Sequence, residues 1–79
     1  MQRYFFHLYD TLHAPDEEGT CWPNDRSALE NALAAARDVA SAEVRCGTLN
    51  LDHFIVVETG DGRQVGTVKF GDAVKVFGA

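Results

Sequence analysis

A single long helical segment lies in this chain, and the other regular segments, apart from a short apolar tail, have the pattern of β-strands. After Pro23, either Asn24 or Asp25 can cap a helix, and Gly47 is the expected left-handed stop after a helix that ends near Cys46. About twenty residues at a rise of 1.5 Å give a helix roughly 30 Å long, enough to cross a small sheet. One helix can cover only one face of a sheet, so few architectures are open to this chain.

The helix is amphipathic and rich in alanine. Ser27 and Glu30 have the spacing of a capping box. The helix can therefore begin either after a cap at Asn24 or Asp25, or after a cap at Ser27. Alanine side chains let the backbone pack closely against a sheet. Glu43 falls within the apolar arc, which predicts that the last turn extends past the sheet. The apolar arc consists of Leu29, Ala32, Leu33, Ala36, Val39, Ala40 and Val44.

The strongest strand pattern runs from Arg3 to Asp10. Aromatic side chains fall on both faces, which is typical of a strand that is at least partly buried on each side. Tyr4, Phe6 and Leu8 lie on one face, and Phe5, His7 and Tyr9 lie on the other. The segment from Thr11 to Gly19 predicts a turn whose three acids, Asp16, Glu17 and Glu18, face water. A short return strand over Thr20, Cys21 and Trp22 follows it.

The second half of the chain predicts a β-hairpin. A strand over His53 to Thr59 precedes Gly60-Asp61-Gly62, a strong turn signal, and the return strand covers Gln64 to Phe70. The apolar pattern changes parity around Gly66, which predicts a bulge there. Gly71-Asp72 ends the strand, and Ala73 to Phe77 predicts either a last strand or a turn of helix.

The order of these segments is β-β-α-β-β. Short connections favour antiparallel hairpins, with the helix packed across one face. We therefore expect one small α+β domain over residues 1–79, a two-layer sandwich with a small antiparallel sheet and one long helix.

Charge and composition exclude several classes of function. Seven basic and twelve acidic residues give a net charge of −5, which repels phosphate backbones and disfavours binding to nucleic acid. The N-terminus lacks the apolar core of a signal peptide, and no apolar run approaches the roughly eighteen residues that span a bilayer. Two cysteines are too few for a secreted disulfide framework. A cytoplasmic protein with reduced thiols and no membrane contact is expected.

Metal binding and catalysis have little support in the spacing of the side chains. The three histidines and two cysteines form no pair at the spacing of zinc ligands, so no metal or cofactor is expected. Cys21, just before the helix N-terminus, is better placed for a thiolate than Cys46 at its C-terminus. No third group orients a Cys–His pair, so no enzyme activity is expected. A thiol- or metal-dependent enzyme remains an alternative.

Five parts of the sequence together resemble a family of short bacterial proteins, the DUF6894 type, a domain of unknown function. They are Arg3-Tyr4-Phe5-Phe6-His7, Asp16-Glu17-Glu18-Gly19, Pro23 before Ala28, Ala32 and Ala36, Ile55-Val56-Val57-Glu58 with Gly62-Arg63, and Phe70-Gly71-Asp72-Ala73-Val74. The resemblance covers nearly the whole chain and implies fold and source but no activity. Cys21-Trp22 and the extension to Ala79 depart from the family pattern.

A second resemblance suggests an alternative function. The passage from Asn24 to Ala32 resembles the strand-to-helix passage of HicB-type antitoxins, which neutralise a toxin partner. The alternative is therefore an antitoxin-type or nucleic-acid-linked regulator.

The preferred interpretation is a non-catalytic binding or regulatory module that forms a homodimer or binds another protein. One helix covers one sheet face, whereas the first strand carries rings on both, so an apolar patch should remain for association. The candidate interaction surface comprises Phe5, His7, Tyr9 and Trp22.

Overall fold

The computed structural model describes residues 1–11 and 13–78. Leu12, in the predicted turn, and Ala79, at the end of the predicted domain, lie outside the described residues. The elements are β1 (Gln2–Tyr9), β2 (Thr20–Trp22), α1 (Asp25–Arg45), β3 (Phe54–Thr59), β4 (Gln64–Lys69) and α2 (Phe70–Ala73). All strand pairs are antiparallel, in the order β2-β1-β3-β4. The α+β class and the β-β-α-β-β order are thus confirmed.

Helix α1 begins and ends at residues that the sequence indicates. The Asn24 side chain accepts a hydrogen bond from Ser27 N at 2.9 Å, and Asn24 N donates to Ser27 Oγ at 3.3 Å. This reciprocal pair of hydrogen bonds satisfies the backbone N–H groups of Asn24 and Ser27. Asn24 is therefore the cap, and the helix begins at Asp25. At the other end, Gly47 takes a φ of +90°, as predicted for the residue that stops the helix.

The core lies between α1 and one face of the sheet. Helix α1 contributes a line of four buried alanines, one per turn, at Ala28, Ala32, Ala36 and Ala40. From the sheet side it meets Tyr4, Ile55 and Val57, together with Phe70 of α2. Val44, predicted on the buried arc, is 57% exposed. A helix of 21 residues is longer than a six-residue strand, so the last turn reaches past the sheet edge.

The end of β4 differs from the prediction. The strand stops at Lys69, and Phe70–Ala73 forms the single turn α2, because the Phe70 and Gly71 amides bond to the carbonyls of His53 and Leu51 at 2.8 and 3.0 Å. The predicted bulge is present: the register with β3 shifts between Val57 and Glu58, beside Gly66. The extra residue bends the strand beside α1, where the Leu29 side chain would lie 3.0 Å from a Cβ at Gly66.

The Asp16 side chain accepts a hydrogen bond from the part of the β1 edge that no strand pairs with. Strand β2 pairs only with the first half of β1, and a bridge between Leu8 and Ala14 covers its far end. Between them, the Asp16 carboxylate accepts hydrogen bonds from Phe6 N at 3.1 Å and Gly19 N at 3.0 Å. The prediction that all three acids face water is therefore wrong for Asp16, which is half-buried, and holds for the exposed Glu17 and Glu18.

Candidate functional site

The strand register separates a covered face of the sheet from an open one. Residues that lie directly opposite each other on antiparallel strands point to the same face. Phe5, His7 and Tyr9 of β1 therefore share a face with Glu58, Val56 and Phe54 of β3, and with Gln64, Thr67 and Lys69 of β4. Both helices pack on the opposite face, with the core. We call the face carrying these nine residues the open face.

Trp22 does not belong to the open face. It lies opposite Gln2, two residues before the buried Tyr4, so it points to the covered side. There it packs against the core, and its ring Nε1 donates to Thr20 Oγ1 at 2.9 Å. Three of the four predicted surface residues are thus brought together, whereas Trp22 is placed on the other side of the sheet.

The rings of the open face form two stacked groups. The Tyr9 ring lies 4.9 Å from that of Phe54 and 4.1 Å from that of His13, centroid to centroid. Phe5 and His7 lie with parallel rings 6.5 Å apart. Phe5, Tyr9 and Phe54 are only half-buried, as is Val56 beside them. The side chains are held in place by their neighbours while part of each remains exposed, which suits a preformed contact surface.

His7 has a fixed orientation at the centre of this face. Its Nδ1 accepts a hydrogen bond from Asp16 N at 3.1 Å, so the neutral ring carries its proton on Nε2. Nε2 lies 3.7 Å from Glu58 Oε2, which is too far for a good hydrogen bond but close enough for attraction if the ring is charged. The histidine thereby links the 13–19 loop to the middle of the sheet.

Charged groups lie at the two ends of the open face. Glu58 is opposite Phe5 at one end, and Lys69 is opposite Phe54 at the other. At the edge, Arg3 donates from Nη1 to the Glu18 carbonyl at 2.6 Å. The face therefore carries aromatic rings at both ends, with a negative charge beside Phe5 and a positive charge beside Phe54, rather than a stripe of one sign.

A second polar cluster joins the start of α1 to the β3–β4 hairpin. Arg63 donates from Nη1 and Nη2 to the two carboxylate oxygens of Asp25 at 2.9 and 3.0 Å, and Tyr4 Oη donates to Asp25 Oδ1 at 2.7 Å. Bonding from Arg63 first, and from Tyr4 second, holds the pKa of Asp25 at about 2 instead of 3.8. The same bond to Asp25 raises the pKa of Tyr4.

This cluster predicts a stability change at acid pH. A carboxyl whose pKa is lower in the folded than in the unfolded chain contributes stability above pH 3.8, and loses it as the pH falls toward 2. Asp25→Asn should therefore unfold more easily than the unmodified chain at neutral pH, and the difference should shrink over that interval. Urea unfolding at several pH values measures it, with exposed Asp38→Asn as control. A difference that persists at pH 2 would contradict the assignment.

Glu43 is a residue whose role the helical pattern does not reveal. Its Oε2 lies 3.1 Å from His53 Nδ1, and its Oε1 accepts from Asn50 N at 3.1 Å. These contacts account for its place on the apolar arc: Glu43 binds the segment before β3 and is largely buried there. The pair borders a groove of about 650 Å³ lined by Asp10, Thr11, Glu43, Thr48, Leu49, Asn50, Leu51 and His53.

The two thiols occupy different parts of the structure. Cys21, opposite Arg3 on β2, and Cys46, at the C-cap of α1, are both exposed and free. The length of α1, about 30 Å, separates the two regions. Within residues 1–11 and 13–78, no three His, Cys, Asp or Glu side chains are arranged to hold a metal ion. In the same ranges, no helix combines the length and apolar character required to cross a bilayer.

Comparison with known proteins identifies a family. Curated proteins gave no match, and neither did solved structures. Residues 3–71 match the family described as "Domain of unknown function (DUF6894)", a range that runs from β1 into α2 and contains the whole open face. The chain therefore belongs to the DUF6894 family.

Proposed function

We propose that the protein is a non-catalytic binding module that forms a homodimer through the open face of its sheet. The observation that carries this proposal is the group of partly exposed rings on a face that neither helix covers. Phe5, Tyr9, Phe54 and Val56 form this contiguous apolar area. Contiguous apolar area with ordered rings is characteristic of association surfaces.

The arrangement of charges favours a second copy as the partner. Residues paired across the three strands form rows on the open face, and His7 and Val56 belong to the middle row. Consider a two-fold axis that lies between two open faces and runs along this middle row, across the strands. It places the end row that contains Glu58 in one copy over the end row that contains Lys69 in the other. Each strand then lies over its own counterpart, so Phe5 of each copy meets Tyr9 of the other. Each Glu58 lies over Phe54 of the other copy, one strand away from the Lys69 of that copy. The face is thus self-complementary, as an isologous dimer requires.

The size of the face predicts a reversible dimer. The four strands hold 23 residues, which at about 3.3 Å per residue and about 4.8 Å between strands give a footprint of roughly 360 Å² per copy. Stable specific interfaces bury about 800 Å² per partner, so this contact is smaller than a permanent dimer requires. We expect monomer and dimer to exchange in the micromolar concentration range.

Val56→Lys tests the proposed interface. Val56 lies at the centre of the face, where the two-fold axis brings it opposite its own counterpart, so the substitution would place two ammonium groups against each other. We expect a monomer at concentrations where the unmodified chain is dimeric, measured by sedimentation equilibrium. Ala34→Lys adds the same charge at an exposed position on α1 and serves as control. Equal association of the two variants would contradict the proposed interface.

The same surface gives little support to nucleic-acid binding or catalysis. Its cations, Arg3 and Lys69, lie at separate edges, and Glu58 lies between them in a chain of net charge −5. We also propose that the protein is not an enzyme and that it is cytoplasmic, since a reducing compartment suits two free, exposed thiols.

A further inference from the structure

We propose that a groove beside the last turns of α1 binds an acidic, amphipathic segment of a partner protein. The groove has a volume of about 410 Å³ and is distinct from the open face. It is formed by one side of α1, the loop after it and the tail after α2. Its lining residues, which we call the basic groove, are Arg37, Ala40, Ser41, Val44, Arg45, Leu49, Val74, Lys75 and Val76.

The floor of the basic groove is apolar and partly exposed. Val44 is 57% exposed and Val76 is 56% exposed, whereas Leu49 and Val74 are half-buried between them. The tail is anchored at its start, because Arg37 Nε donates to the Ala73 carbonyl at 2.8 Å. The groove therefore offers apolar area in a defined position, and a ligand with an apolar stripe would cover it.

The rim of the groove is cationic in an acidic protein. Arg37, Arg45 and Lys75 are three of the seven basic residues in a chain of net charge −5. Arg45 and Lys75 form no ion pair with any described residue, and the hydrogen bond from Arg37 uses only its Nε. These positive charges are left without an internal partner, so the groove favours a ligand that brings carboxylates.

The same charges decide between candidate occupants. A second copy docked groove to groove would place six cations against one another, which electrostatic repulsion disfavours. A segment with apolar side chains at helical spacing and acidic residues beside them matches both floor and rim. The proposal therefore commits to an acidic amphipathic segment of a different protein.

The test uses two synthetic helical peptides and the complete ¹⁵N-labelled chain. Both peptides carry the same leucine stripe, with glutamates beside it in one and lysines in the other. We expect the acidic peptide to shift the amide resonances of Ser41, Val44 and Lys75. We expect the double variant Arg45→Glu/Lys75→Glu to weaken its binding about tenfold or more, since two attractions become repulsions.

Two controls make the outcome decisive. Arg26→Glu reverses an exposed charge near the start of α1 and should leave binding unchanged, while circular dichroism checks that each variant is folded. Equal binding of both peptides, no binding, or shifts confined to the open face would overturn the proposal. Shifts of the groove amides by dodecanoate but not by the acidic peptide would also overturn it, in favour of a lipid site.

Discussion

Phe70→Ala is expected to lower the free energy of unfolding by about 3–5 kcal/mol, because it leaves a cavity in the centre of the core. The Phe70 side chain is fully buried, packs among the α1 alanines and meets the His53 ring edge-on at 5.7 Å. Alanines cannot move inward to fill the space. A chain of this length has a total stability of about 4–12 kcal/mol, so the substitution should remove between about a quarter and all of it.

Urea unfolding followed by circular dichroism measures this effect. Phe77→Ala makes the same chemical change at a side chain that is 84% exposed, and should alter stability by less than about 0.5 kcal/mol. Equal losses for the two variants would show that the core is not organised around Phe70.

Gly19→Ala is expected to destabilise the protein by about 2–4 kcal/mol through two separate causes. Gly19 has a φ of +69°, a conformation that strains an L-residue. An added Cβ would also lie 2.6 Å from the Tyr4 carbonyl oxygen and 3.0 Å from the Phe5 ring. The backbone atom cannot move away without separating β2 from β1.

Gly62→Ala separates the two causes. Gly62 has a φ of +87°, but a Cβ there would meet nothing within 4 Å, so only the conformational strain of about 1 kcal/mol applies. Thermal unfolding of the two variants should therefore show a larger loss of stability for Gly19→Ala. Equal losses of stability would mean that the close contact of Gly19 with β1 adds nothing to the cost of the substitution.

The features that local chemistry determines could be predicted from the sequence. The helix start just after Pro23, the Gly47 stop and the strand-turn-strand pattern around Gly62 depend on residues within a few positions, although the choice of Asn24 over Asp25 as the cap required the structure. The alternation in β1 also placed Phe5, His7 and Tyr9 together on one face. These positions were predictable because the period of a strand is fixed by backbone geometry.

The features that depend on partners distant in sequence could not be predicted. The face of Trp22 is set by the register that pairs it with Gln2, and the path of the intervening loop decides that register. Asp16 is half-buried because β1 has an unpaired edge, and α2 forms because the Phe70 amide bonds to the His53 carbonyl. A helical wheel likewise cannot show that Glu43 has His53 as a partner.

The candidate surface was therefore predictable only along one strand. Phe54 and Val56 lie beside the rings of β1 because β3 pairs with β1 as well as with β4. The pairing of β1 with β3 joins strands that are distant in sequence, so local patterns do not predict it. The charge complementarity between Glu58 and Lys69 also emerges only from the register of three strands.

Intermolecular NOEs between isotope-labelled and unlabelled copies test the open face as a dimer interface most directly. We predict contacts from the Val56 methyl groups of one copy to those of the other, and from the Phe5 ring of each copy to Tyr9 of its counterpart. These contacts should be absent in Val56→Lys. A chain that remains monomeric at high micromolar concentration, or one whose only intermolecular contacts involve the basic groove, would contradict the account.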